Sequence, residues 1–214
     1  MPVQLEPGQR RHPKQLRSRL MVETILEAAR QLFAENGFET TTTNQIADRA
    51  GVGIGSLYQY FPNKDSLILE VQKTHHDEVL TVIKSAMERT QTLPIREAIR
   101  TIAGANLDVH LSTPQLHAAF EEWIPTQTKL VDREGFHREM ASTVSSYLDS
   151  RPEVRAGEDV KPAVFVIMHM VKSIMHAAVQ DGKAVENRDQ ILDHLADGIL
   201  GCLQPVSTSF CSTQ

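Results

Sequence analysis

Nine side chains near the start of the chain have the types and spacing to touch a polyanion. They are Thr42, Thr43, Ile54, Gly55, Ser56, Tyr58, Gln59, Tyr60 and Lys64. Thr42, Thr43 and Lys64 fall where helices should begin, and helix N-termini offer backbone N–H groups and a positive dipole end to phosphate. Ile54 suits a thymine methyl, while Ser56, Tyr58 and Gln59 can reach base edges or backbone. Gly55 would let a helix approach closely, and Tyr60 is a phosphate contact or else core. Leu57 and Phe61 read as packing residues.

A second set has a different chemistry. Phe120, Trp123, Phe136, Met140, Met168, His169 and Met175 are bulky, adaptable groups that line apolar ligand pockets and equally fill cores. Glu121 and Glu122 beside Trp123 can meet a cation or form a solvated face. The chain has nine histidines. His75 and His76 are adjacent, while His110 and His117, like His169 and His176, lie seven apart. None has the i, i+3 or i, i+4 spacing of a metal site on one helix, so no metal and no cofactor is expected. Cys202 and Cys211 are too few for a disulfide framework. No nucleophile elbow is present. Gly51, Gly53 and Gly55 lack the lysine of a phosphate-cradling loop, so an enzyme is not expected.

The elements that must position the first set are short. Thr42 and Gln45 form a capping box, and Ile46, Ala47 and Ala50 line one face. Gly51 suits a left-handed helix end, Val52 plugs the turn, and Leu57 with Tyr60 or Phe61 returns to the same core. Two helices at a sharp turn, with the second free to enter a major groove, are a helix-turn-helix. Before them, Val22, Ile25, Ala29, Leu32 and Phe33 give a helix over about 17–36 that ends at Gly37. Pro62 stops the third helix and Asn63 caps a fourth, which runs to about residue 90. Pro94, Pro114 and Pro125 mark later boundaries, and a helix to about Ser150 carries Leu130, Met140 and Leu148. Residues 151–159 read as a loop and Asp181-Gly182 as a turn. Residues 160–179 are apolar almost all round, and 187–203 form a last amphipathic helix.

The stretch from Arg17 to Val71 resembles the N-terminal domain of the TetR/AcrR family of bacterial transcriptional regulators. The residues that carry it are 28–38, Thr41-Thr42, Ile46-Ala47, Ala50-Gly51-Val52, Gly55-Ser56-Leu57-Tyr58, Tyr60-Phe61-Pro62-Asn63-Lys64 and Leu67. The resemblance implies phosphate contacts at Thr42, Tyr60 and Lys64, a helical domain with a pocket for a small effector, and a homodimer. The chain departs from the family at Gly53, where a serine cap is common, and at Ile54, where a polar or basic residue is.

The expected fold is all-α with about nine helices: an N-terminal three-helix helix-turn-helix domain and a C-terminal helical ligand-binding and dimerisation domain. The expected division is a basic tail over 1–16, a DNA-binding domain over 17–63, an effector and dimer domain over 64–204 and a loose tail over 205–214. The tail is either solvated or an arm on DNA. The last two long helices suit a four-helix dimer interface through Val164, Val171, Ile191, Leu195 and Ile199. A monomer that buries them in its own core is the other reading.

Net charge is −5, with 41% apolar and 23% charged residues. Residues 1–66 hold eight Lys/Arg and seven Asp/Glu, and Arg10, Arg11, Lys14, Arg17 and Arg19 follow one another without an intervening acid. Only a local patch would face phosphate. No apolar run reads as a membrane span and the start lacks a signal-peptide core, so a cytoplasmic protein without a membrane partner is expected. The helix-turn-helix together with the family resemblance implies a repressor released from a palindromic operator by an unidentified small effector. Alternatives are an activator of the same fold and a helical small-molecule-binding protein without DNA-binding activity.

Overall fold

The computed structural model describes residues 16–123, 133–154, 160–181 and 186–203. The described residues form nine helices and no strand: α1 Leu16–Asn36, α2 Thr43–Ala50, α3 Ile54–Tyr60, α4 Lys64–Arg89, α5 Ile95–Ser112, α6 Pro114–Trp123, α7 Arg133–Asp149, α8 Lys161–Asp181 and α9 Arg188–Cys202. Leu16 opens α1 and Asp181 closes α8, while most of the expected tails, Leu130, Gly182 of the expected turn and most of the 151–159 loop lie outside the described residues. So does Cys211, while Cys202 is a free, half-buried thiol.

The chain divides into two compact units. One holds residues 1–79 and 111–133, the other residues 80–110 and 134–214. The division falls inside α4, and it places α6 with the N-terminal helices.

In the first unit, α1 presents Ile25, Ala29, Leu32 and Phe33 to a core completed by Ile46, Leu57, Phe61, Leu67 and Ile68. Leu116, Ala119, Phe120 and Trp123 of α6 belong to the same core. α1 ends at Gly37, whose φ of 80° is cheap only for glycine. The buried Thr41 hydroxyl then bridges the Leu32 and Gly37 carbonyls at 3.1 and 2.7 Å, which fixes the chain just before α2. Asn63 Oδ1 accepts from Ser66 N at 2.8 Å and caps α4.

The second unit is held by contacts far apart in sequence. Arg96 and Arg100 of α5 meet Asp197, Asp193 and Asp189 of α9, and Arg188 of α9 meets Asp108 of α5. Numbers rise along one helix as they fall along the other, so the pair is antiparallel. The buried Arg151 donates to the carbonyls of Thr90, Gln91 and Leu93, the backbone that joins α4 to α5. Such donation satisfies orphan carbonyls at a helix end.

α8 corrects one expectation. By length and composition Lys161–Gln180 is long and apolar enough to cross a membrane. Two of its large apolar side chains, Phe165 and Val166, stand 65% and 49% exposed. Lys172 lies mid-helix and is exposed as well, a position where a bilayer-spanning helix would be strongly penalised.

Candidate nucleic-acid interface

The turn between α2 and α3 is built from local signals. Thr42 Oγ1 accepts from Gln45 N at 3.3 Å and Gln45 Oε1 accepts from Thr42 N at 2.8 Å, closing the capping box. Gly51 adopts φ 67°, and Val52 N donates to Ala47 O at 3.0 Å. A Cβ at Gly51 would meet nothing within 4 Å, so backbone strain alone selects glycine there. α3 starts at Gly53 without a side-chain cap.

Leu57, fully buried, fixes which face of α3 turns inward. Ile54, Gly55, Tyr58 and Gln59 are therefore exposed, and Ser56 and Tyr60 are half-buried. A Cβ at Gly55 would meet no neighbour, so packing does not dictate that glycine. Tyr58 OH lies 3.0 Å from Thr43 Oγ1 and ties the outer face of α3 to the start of α2. The structure thus brings Thr42, Thr43, Ile54, Gly55, Tyr58 and Gln59 to one surface-exposed helix pair.

The cations are arranged differently. α3 has no Lys or Arg. Arg49 of α2 is paired with Glu35 of α1 at 2.9 and 2.8 Å. The hydrogen bond from Arg49 holds the Glu35 carboxyl below its ordinary range, and the Arg49 guanidinium is raised in return. Lys64 Nζ donates to Phe38 O at 2.7 Å and Glu39 O at 3.1 Å and sits 4.2 Å from the Phe38 ring centroid. Two of its three donors are engaged within the protein, which sequence spacing gave no sign of. Arg17 and Arg19 are exposed at the start of α1, while Arg10, Arg11 and Lys14 lie outside the described residues.

The expected effector residues divide between the units. Phe120 and Trp123 are core residues of the first unit, and Trp123 Nε1 donates to Asp65 Oδ1 at 2.7 Å. The tertiary reason is that α6 packs on α1. Phe136, Met140, Met168, His169 and Met175 belong to the second unit. Met140 and Met175 are buried, Phe136 and Met168 half-buried. His169 is exposed, bonded to Phe165 O at 2.8 Å with its ring 4.2 Å from that of Phe165.

Sequence reasoning missed Asn106. It is 7% exposed, and its Oδ1 is buried with no hydrogen-bond partner among the described residues. His110 Nδ1 lies 2.9 Å from Asn106 O, and burial pushes the His110 imidazole below its ordinary pKa. The signal was the stripe Ile99, Ala103, Asn106 and His110, which puts two polar residues on the inward face of α5. His75 and His117 meet edge-on at 4.7 Å across α4 and α6, a pairing that spacing along one helix cannot reveal. Of the expected dimer residues, Val164, Leu195 and Ile199 are buried in their own unit, and Val171 and Ile191 are half-buried.

Two short helices around a left-handed glycine, the second with its outer face open, define a helix-turn-helix DNA-binding protein. The family described as "Bacterial regulatory proteins, tetR family" matches residues 25–71, and "Tetracyclin repressor-like, C-terminal domain" matches residues 94–203. The chain belongs to the TetR family of DNA-binding transcriptional regulators and is not an enzyme.

It is 30% identical over 140 residues to the HTH-type transcriptional regulator YhgD of Bacillus subtilis (strain 168), covering 64% of this chain and 71% of that protein. It is 32% identical over 97 residues to the HTH-type transcriptional repressor KstR2 of Rhodococcus jostii (strain RHA1), covering 44% of this chain and 46% of the repressor, less than half its length. Its fold is similar to a TetR-family transcriptional regulator from Mesorhizobium loti MAFF303099, with a TM-score of 0.70 at 17% identity over 87% of this chain and 98% of that one.

Proposed function

We propose that this chain is a cytoplasmic homodimeric repressor that leaves a palindromic operator when a small effector binds its second unit. The outward face of α3 carries the reading: Ile54, Gly55, Tyr58 and Gln59 are exposed while Leu57 anchors the helix from behind. Without a cation on α3, specificity rests on apolar and hydrogen-bond readout. Ile54 packs on a thymine methyl and Gln59 pairs with adenine, the base edge an amide fits best. Thr42, Thr43, Ser56 and Tyr60 contact backbone or base edges, with Lys64 offering its remaining donor to phosphate.

A single recognition helix reads one half-site, so a second copy must supply the other about one duplex turn away. The exposed Phe165 and Val166 of α8 support that copy docking on α8 and α9, with Val171 and Ile191 at its margin. The effector meets the second unit, where Asn106 Oδ1 offers a buried acceptor to a ligand hydroxyl or amide. The names of the KstR2 repressor and of the class D tetracycline repressor protein are consistent with repression.

Selection from a random duplex library, followed by footprinting and sedimentation, tests the proposal. Two protected half-sites about 10 bp apart on a dimer are expected. A monomer, or no enriched sequence at all, would sink it.

A further inference from the structure

α6 ends on two residues that bond to the segment joining α1 to α2 and to the start of α4 in the same unit. Glu122 Oε2 accepts from Phe38 N at 2.9 Å, and Oε1 accepts from Glu39 N at 3.4 Å. Lys64 takes the carbonyls of the same two residues, at 2.7 and 3.1 Å. One dipeptide between α1 and α2 is therefore gripped from both sides, an acid on its donors and a base on its acceptors. Trp123 adds a second tether, its Nε1 donating to Asp65 Oδ1 at the head of α4, and its ring lies 6.1 Å from that of Phe38. Gly37 fits this grip twice over. Its φ is 80°, and a Cβ there would lie 2.9 Å from Glu122 Oε2.

The gripped dipeptide leads straight into the buried Thr41 and the capping Thr42, so its position sets where α2 begins and how α3 is presented. The geometry points to Glu122 as a positioning residue that holds the 38–39 turn, and with it α2 and α3, in the placement that operator binding needs. This inference rests on the DNA-binding reading above. It also changes what Lys64 does: the lysine closes the turn as much as it faces phosphate.

The sign of the effect separates positioning from simple charge. Removing an acid near DNA strengthens binding if only the electrostatic field matters. Removing a positioning residue weakens it. The experiment measures affinity for a duplex selected from a random library by the wild-type chain, over a range of salt, for Glu122→Ala, Glu122→Gln and Trp123→Phe. Glu122→Ala is expected to bind about tenfold more weakly, a size typical of coupling residues. Its salt slope should be unchanged, because no phosphate contact is lost.

Glu122→Gln keeps one acceptor and should lose less. Trp123→Phe removes the indole N–H bond to Asp65 and leaves a cavity beside Phe38, so it tests the second tether and should also weaken binding. The amide signals of Phe38 and Glu39 should move in both Glu122 variants. Where Glu122→Ala does not fold, the other two variants carry the test. Unchanged or tighter binding in Glu122→Gln, with shifted Phe38 and Glu39 amides, overturns the inference and leaves the DNA-binding reading intact. A wild-type chain that selects no duplex overturns both, and the two failures are told apart by that first measurement.

Discussion

The two units are held together by different physics. In the first, three helix boundaries are written next to themselves: the Thr42–Gln45 capping box, the left-handed Gly51, and the Asn63–Ser66 cap. In the second, helices choose partners about ninety positions away through Arg–Asp pairs that are individually exposed. Local signals make a small domain with one register, which is what reading a base sequence needs. Exposed ion pairs are each worth little and are screened by salt, so they leave the second unit freer to rearrange.

The contrast can be broken most forcefully at Leu57. It is fully buried where α3 meets the core, and Leu57→Ala should cost about 2–5 kcal/mol. Hydrogen exchange would show lost protection in α1 to α3 with α8 and α9 preserved. Equal loss in both units would mean that they unfold together. Thr42→Ala should cost about 1 kcal/mol by removing the cap of α2, read as a lower denaturation midpoint with an unchanged m-value.

A pH titration probes the second unit. Burial lowers the His110 pKa below its unfolded value, so the unfolded state takes up the proton first. That contribution to stability is complete above the unfolded pKa of about 6.5 and is lost as pH falls through the folded one. The melting temperature should therefore drop on acidification, and less so in His110→Gln.

The smallest effect belongs to the α5–α9 ladder. Arg188→Ala should lower the melting temperature slightly at low salt and not at all at high salt, since its bond to Asp108 is exposed. A large, salt-independent loss would show the ladder to be structural in the way the first unit's caps are.

The helix-turn-helix was legible because its determinants are short-range. A cap is read within three residues and a glycine turn within one. Leu57 and Phe61 were placed in the core from spacing alone, and both are fully buried. The site around Lys64 was not legible in the same way. Its carbonyl partners lie 25 and 26 residues back, and Glu122 reaches the same turn from more than 80 residues on. Phe120 reads as core more readily than as pocket and Trp123 reads as a residue at a pocket rim, and the packing of α6 on α1 puts both in the core. Val164, Leu195 and Ile199 are buried in their own unit, and helical periodicity does not say which stripe faces a neighbour in the same chain and which faces a second copy.

By itself the sequence determined the helices of the described residues, the glycine turn and the open face of α3, because hydrogen bonds and side-chain periodicity within a helix depend on near neighbours. Tertiary structure alone decided that α6 joins the DNA-binding unit, that Glu122 and Lys64 grip one dipeptide, and that α5 runs antiparallel to α9. Those choices depend on which surfaces meet after the helices exist, and a pattern of apolar and charged faces is compatible with many such meetings.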